Sequence, residues 1–302
     1  MLAPIALFCF NRPSHTLRTL EALARNKDFE ASKLYIFCDG ARRPEESAAV
    51  EATRRVARDW PHPVKVVREA AVNLGLARSV RGGVNSLCEE HGLVIVVEDD
   101  LGVSPHFLAF LNEGRRRYAE DSKVMQISGY MFPVQPKFEE DALFLPMTTS
   151  WGWATWQRAW AGQTGERALA GRVLGQLGAR YRFDLDGAYP YAHMLANQLR
   201  GKNNSWAIWW YLHVFLQGGL GLFPGQSLVS NEGFDGSGTH CDPGAGGLDV
   251  LGVEAPSRLP DSVEVFPAHL RRIRHHLLAQ RGAAHFVVDN WRRLVGVEAG
   301  LT

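Results

Sequence analysis

The sequence predicts an α/β protein built on a mostly parallel central sheet flanked by helices. Three observations predict it. Apolar runs alternate with helical patterns from residue 3 to residue 97, the rhythm of βαβ units. Residues 92–97, GLVIVV, form an uninterrupted β-branched run, the mark of a central strand buried on both faces. Polar and acidic residues follow the apolar runs, at Asn11-Arg12, Asp39-Gly40 and Glu98-Asp99-Asp100. Ligands of such sheets bind beyond the carboxyl ends of the strands, so these groups converge where a site belongs.

The elements follow in order. Residues 3–10 read as a strand, and Asn11-Arg12-Pro13-Ser14 opens a helix carried by Leu17, Leu20, Leu23 and Ala24. Residues 34–38 give a second strand ending at Asp39-Gly40. Residues 44–60 give a helix that begins with proline and acids. Residues 64–68 make a third strand. Asn73 to Leu76 then opens a helix through Val80, Val84 and Leu87 into the strong strand. Ser104-Pro105 starts another helix. Beyond it the rhythm fades. Residues 130–145 read as loop, 150–160 (SWGWATWQRAW) as an aromatic stretch, and 168–181 as a small helix. Residues 205–215 read as an apolar helix or strand, 220–229 as a short strand with a turn at Pro224-Gly225, and 231–243 as a polar Gly-rich loop. Residues 269–295 read as a basic helical tail. Three regions result: 1–125, a ligand-binding α/β half; 126–250, the other half of the same globule; and 251–302, the tail.

A chain of 302 residues can bury a sizeable core without metal or disulfide staples. With 46% hydrophobic and 22% charged residues, the composition is globular. Lys and Arg number 33 against 32 Asp and Glu. The net charge of +1 gives no global pull toward nucleic acid, and any anionic ligand needs a local site. The cysteines, Cys9, Cys38, Cys88 and Cys241, form no CxxC pair and read as buried thiols of a reducing compartment. The apolar start lacks a basic flank and is too short to span a bilayer, so a cytoplasmic location is expected. Among the nine tryptophans, all but Trp60 and Trp291 fall between residues 151 and 210.

Three carboxylates at the end of a buried strand repel one another strongly, and a hard divalent cation such as Mg²⁺ or Mn²⁺ removes that cost. The bland alternative is an acidic turn ahead of the Ser104-Pro105 helix. Asp39 is placed to accept from a base or ribose hydroxyl, or to make an ordinary Asp-Gly turn. Arg12 can meet a phosphate with its planar fork, or be a solvated loop arginine. Asn73, Gly75 and Arg78 sit at a helix start, a favourable place for anions. His240, in the NEGFDGSGTH stretch, could complete a metal sphere or hold a diphosphate. Trp151 and Trp153, flanking Gly152, could pack on the C–H face of a sugar or belong to the core.

The succession of strand-NRP, strand-DG, NLGLARSV, VIVVEDDL with SPHF, SWGWATW and NEGFDGSGTH resembles glycosyltransferases of the GT-A fold over roughly residues 3–245. It is similar to bacterial nucleotide-sugar enzymes of polysaccharide assembly and to the N-acetylglucosaminyltransferase I group, whose acidic motif reads EDDL as residues 98–101 do here. The resemblance implies a GT-A (Rossmann-like) sheet with a Trp-rich acceptor-side half. It implies a nucleotide-sugar donor, usually a UDP-sugar, with Mn²⁺ or Mg²⁺ on the diphosphate, and a glycan or lipid-linked glycan acceptor. Arg12 and Asp39 would touch the nucleotide, with Asn73 nearby and Arg78 at the donor phosphate or sugar. Asp100 would bind the metal, Glu98 and Asp99 would meet the sugar or ribose or orient the metal shell, and His240 would be a second metal or diphosphate contact. Trp151 and Trp153 would face the acceptor.

The departure lies at the general base. Relatives commonly carry Asp after the first Trp of a W-D-x-x-W motif, but Trp206 is followed here by Ala207. Of the nearby acids Asp235, Glu232, Asp184 and Asp186, Asp235 is favoured, with Glu232 beside it, because Asp235 shares a loop with His240. The transfer of a hexose or N-acetylhexosamine is read as inverting, although loss of the usual base leaves retention open. Two rivals stand: a degenerate sugar-binding domain without turnover, favoured by Ala207, and a nucleotidyltransferase, which lacks the expected Gly-rich Lys motif after Phe10. The tail, with Arg271, Arg272, Arg274 and Arg281 beside Leu270, Ile273, Leu277 and Leu278, is basic and amphipathic. It could lie on the inner membrane face or pack as an ordinary terminal helix.

Overall fold

The structure, a computed structural model, describes residues 2–163, 167–233, 251–252 and 255–281. The first half follows the predicted rhythm: β1 (Ile5–Cys9), α1 (Pro13–Ala24), β2 (Leu34–Cys38), a short 3-10 turn and α2 (Ser47–Asp59), β3 (Lys65–Glu69), α3 (Leu76–His91) and β4 (Leu93–Glu98). Pro13 occupies the first turn of α1, where its missing N–H costs nothing. Gly92, at φ 76°, ends α3 in the left-handed conformation and turns the chain directly into β4. Val94 to Val97 are fully buried, as the β-branched run predicts.

The second half contains β5 (Leu101–Val103), α4 (Phe107–Arg117), β6 (Val124–Ser128), β7 (Ala142–Leu145), β8 (Trp153–Trp156), α5 (Gln157–Trp160), α6 (Arg167–Gly175), α7 (Leu177–Phe183), α8 (Tyr191–Leu199), α9 (Trp206–Leu216), β9 (Leu220–Pro224), β10 (Val229–Asn231) and α10 (Pro267–Arg281). Eight strands form one sheet in the order β3-β2-β1-β4-β8-β6-β9-β7, and β5 pairs with β10 in a separate ribbon. β1 to β4 run parallel, β8 lies antiparallel between β4 and β6, β9 runs parallel to β6, and β7 closes the edge antiparallel to β9. This is the α/β class expected: a large, mostly parallel sheet flanked by helices.

Differences from the expected elements are local. Residues 142–145, read as loop, are an edge strand, and residues 124–128 are a strand the periodicity did not mark. Both are short and wholly buried; residues 142–145 are only four long, and the buried polar Gln126 and Ser128 interrupt the apolar run at 124–128. The single helix expected over 168–181 is two, α6 and α7. The apolar stretch 205–215 is helix α9, whose Ser205 side chain accepts from the Ile208 N–H at 3.4 Å.

Helix α10 packs rather than floats. Ile273 and Leu277 are buried in a second core cluster, with Leu270 and Leu278 against it. Arg274 pairs with Asp186 at 2.8 Å, and Arg272 lies over the Phe138 ring. Over the described part of the tail the apolar face is therefore spent on the protein's own interior, as in an ordinary terminal helix. No helix among the described residues is long and apolar enough to cross a membrane.

Candidate active site at the carboxyl edge of the sheet

Parallel pairing aligns Cys9 with Cys38, Cys38 with Glu69, and Phe8 with Glu98. The residues after β1, β2 and β4 therefore emerge side by side. Arg12, in the loop after β1, reaches across to the acidic turn after β4. One guanidinium nitrogen lies 2.5 Å from an Asp99 oxygen and 2.9 Å from an Asp100 oxygen. The Phe10 N–H also donates to Asp99, and Thr19 on α1 donates its hydroxyl to the Asp99 carbonyl. Asp99 is thereby fixed from two elements.

The charge balance is incomplete. Burial, then Asp100 and Asp99, push the Glu98 carboxyl up to about 8 against the pull of Arg12. Burial likewise raises Asp99 although Arg12 opposes it. Burial pushes the Arg12 guanidinium down, but the two carboxylates outweigh this and hold it up. Among the described residues one arginine faces three acids, and its Nη1 is buried without a hydrogen-bond partner.

Asp39 organises the next wall. Its carboxylate accepts from the N–H groups of Gly40, Leu74 and Gly75 at 2.7–2.9 Å, and from the Asn73 amide at 3.1 Å. The sequence marked Asp39 as a ligand contact; the structure places all four of these bonds inside the protein, where they shape the loop ahead of α3. Gly40 is required by that closeness, since a Cβ there would lie 2.5 Å from the Val72 carbonyl carbon. Arg78 is exposed in the first turn of α3.

The β5–β10 ribbon supplies the third wall and was not foreseen. It pairs Leu101 with Asn231, so that the Glu232 N–H donates to the Asp100 carbonyl at 2.8 Å. A Cβ on Gly233 would lie 2.5 Å from Asp100 Oδ2. Glu232 itself turns outward and pairs with Arg18 of α1 at 2.8 Å. Two of the predicted site residues, Asp235 and His240, lie outside the described residues. Among the described residues, no cluster of three or more His, Cys, Asp or Glu side chains can hold a metal ion by itself.

The tryptophans divide sharply. Trp153 is fully buried, its indole 5.2 Å from Trp206, 5.6 Å from Trp160 and 6.2 Å from Trp210. The expectation that it faces an acceptor is corrected: β8 is an interior strand, and both its faces are covered. Trp160 and Trp210 bond Asn85 and Gln126 through their N–H groups. Trp151 alone of the seven between residues 151 and 210 stays half-buried, set edge-on to Tyr130 at 4.6 Å. The other acids weighed as bases have structural partners. Asp184 is buried and accepts from the Ala192 N–H at 2.6 Å, while Asp186 pairs with Arg274.

No protein-family profile matches the chain, and no curated protein matches it in sequence. Solved structures overlap it in part. The mannosyltransferase PcManGT from Pyrobaculum calidifontis, in complex with GDP-Man and Mn²⁺, shares 12% identity over 56% of this chain and 46% of its own, with a TM-score of 0.35. S. aureus TarS shares 15% over 49% of this chain and 25% of its own, at 0.31. The 4-diphosphocytidyl-2C-methyl-D-erythritol synthase of Anaerococcus prevotii shares 11% over 52% of this chain and 72% of its own, at 0.32. The chain spans less than half the length of the first two, and overlaps of this size assign no activity.

Proposed function

We propose that this protein is a glycosyltransferase that moves a sugar from a nucleotide-diphosphate sugar to a hydroxyl of a glycan or lipid-linked glycan. The observation that carries the reading is the carboxyl-edge cluster: Arg12 bridging Asp99 and Asp100, with Glu98 raised beside them and Gly233 seated on Asp100. Its surplus of acid fits a hard cation shared with phosphate oxygens, not a closed protein site, since Mg²⁺ and Mn²⁺ commonly take few carboxylates there. Asp100 would hold that cation, with His240 as a further candidate. When bound, the cation neutralises charge growing on the leaving diphosphate.

The chain's own residues do the rest. Arg12 orients Asp99 and Asp100 and offers its unpartnered Nη1 toward an anionic oxygen. Asp39 holds the 73–75 loop and so positions the start of α3, where Arg78 and the free N–H groups of the helix favour phosphate. Trp151 remains a candidate for the acceptor's apolar face. Asp235 is proposed as the base that takes the acceptor proton, and Glu232 as its neighbour in that loop. Transfer to surface polysaccharide, a UDP-sugar donor and inversion at the anomeric carbon are the narrower parts of the proposal.

The test is to incubate the protein with a panel of nucleotide sugars and candidate acceptors, with Mn²⁺ or with chelator, and to measure nucleoside diphosphate release. Metal-dependent release with one donor is the expected result. Saturable donor binding without release would instead support a sugar-binding domain, the reading that Ala207 favours. Pyrophosphate release from a nucleoside triphosphate and a sugar phosphate would support a nucleotidyltransferase.

A further inference from the structure

A second charged site lies at the opposite, amino-terminal edge of the sheet. Leu2, ahead of β1, and Lys27 with Asp28, between α1 and β2, form one side of a cavity of about 800 Å³. Helix α4 and residues 255–261 form the other. The volume is that of a small-molecule site.

The wall built by residues 255–261 lacks regular structure yet is firmly held. Asp141 accepts three hydrogen bonds from it, from the Ser257 N–H and hydroxyl and the Arg258 N–H, at 2.7–3.0 Å. The Tyr118 hydroxyl donates to the Pro260 carbonyl at 2.6 Å, and Arg117 pairs with Asp261. A segment pinned at both ends in this way is preorganised and does not have to be ordered by a ligand.

Among the described residues, five basic side chains, Lys27, Arg115, Arg116, Arg117 and Arg258, line the cavity with three acids, Asp28, Glu113 and Asp261. Glu113 is engaged by Arg116, and Asp261 is shared by Arg117 and Arg258. Arg115 is half-buried, and burial together with Arg116 pushes its guanidinium down. Its Nε donates to Asn112 Oδ1, which also accepts the Ala3 N–H, so the Asn112 amide orientation is fixed. Asn112 is buried, and its Nδ2 has no partner. Basic side chains from three segments and an unfilled, buried amide donor, around a cavity of this size, suit an anion with several acceptor oxygens.

We propose that this cavity binds a small phosphate-bearing ligand, at a site separate from the carboxyl edge. The geometry supplies Arg115, Arg116 and Arg258 as the cationic clamp, Lys27 from the far side, and Asn112 at the floor.

The experiment is hydrogen exchange with chelator present, using inorganic pyrophosphate as probe and following residues 107–117 and 255–261 separately from residues 98–103. Saturable protection of the first two segments is expected. It should require about tenfold more pyrophosphate in Arg258→Ala and in Arg115→Gln. Arg258 is 85% exposed in its side chain, so its variant keeps the test meaningful if Arg115→Gln fails to fold. No protection of residues 255–261, protection unchanged in both variants, or an equal effect from sodium chloride at matched ionic strength would each overturn the proposal. Co-sedimentation with phosphatidylglycerol vesicles, lost in the same variants, would identify the phosphate as a lipid headgroup; binding of pyrophosphate alone would identify a soluble one.

Discussion

The halves of the sheet on either side of the β4–β8 boundary are built by different means. Up to β4, successive strands are parallel, joined by helices, and end in polar residues that share one edge. Beyond β4, parallel and antiparallel strands are mixed, and β8 runs antiparallel between two strands that precede it in the chain. In the first half chemistry and packing are separated along the chain: apolar strand, then polar loop. In the second they are mixed, because aromatic residues fill the space between sheet and helices. A tryptophan there is core or surface according to a partner more than fifty residues away, as with Trp153 and Trp206.

Substitutions can break or sharpen this contrast. The largest effect is expected at the first half's edge. Asp100→Asn should lower kcat/KM for nucleoside diphosphate release by about 10²-fold or more, with little change in melting temperature. Unchanged kcat/KM would remove Asp100 from the site. In the second half, Trp153→Ala should cost about 3–5 kcal/mol in denaturant unfolding through the cavity it leaves. A change confined to acceptor KM at full stability would return Trp153 to the surface role. Arg12→Ala should cost about 3 kcal/mol by leaving the Asp99 and Asp100 charges uncompensated, and Asp99→Asn in the same chain should restore part of it. Additive losses would mean that the pair contributes nothing. Gly40→Ala should cost about 1–3 kcal/mol, because the Val72 backbone must move, and should weaken donor binding with it.

The smallest effect is a pH dependence. Burial, reinforced by Glu89, pushes the Cys88 thiol up to about 12. Its contribution to stability is whole below the unfolded thiol value, about 8.5, and is lost as pH rises from there toward the folded value. Stability should therefore fall more steeply above about pH 8.5 in the wild type than in Cys88→Ala, and the thiol should resist alkylation until the protein unfolds. Equal slopes would place Cys88 in contact with water.

How much was legible follows the same boundary. The strand at residues 93–98 and the acids after it are local consequences of a continuous apolar run followed by charge, and the convergence of Arg12 with them follows from the parallel βα order that the same runs predict. Asp39, Asn73 and Gly75 each stand out in the sequence, but not as partners of one another, because the 73–75 loop reaches Asp39 only when β2 and β3 pair. Likewise Gly102 and Gly233 carry no signal until β5 and β10 form a ribbon beside Asp100. The strands β6 and β7 carry weaker signals than β1 of similar length: Gln126 and Ser128 break the apolar run of β6 yet are buried by tertiary neighbours, and β7 is only four residues long.

The sequence by itself determined the α/β class, the parallel first half and the acidic edge, since each arises from hydrophobic periods and charges within a few residues of one another. Only the tertiary structure decided which tryptophans are interior, that Asp39 serves its own loop, that α10 is docked, and that a cavity with basic side chains in its lining opens at the far edge. Those outcomes depend on pairing between segments distant in the chain, and burial and desolvation act on a side chain only once such neighbours have closed around it.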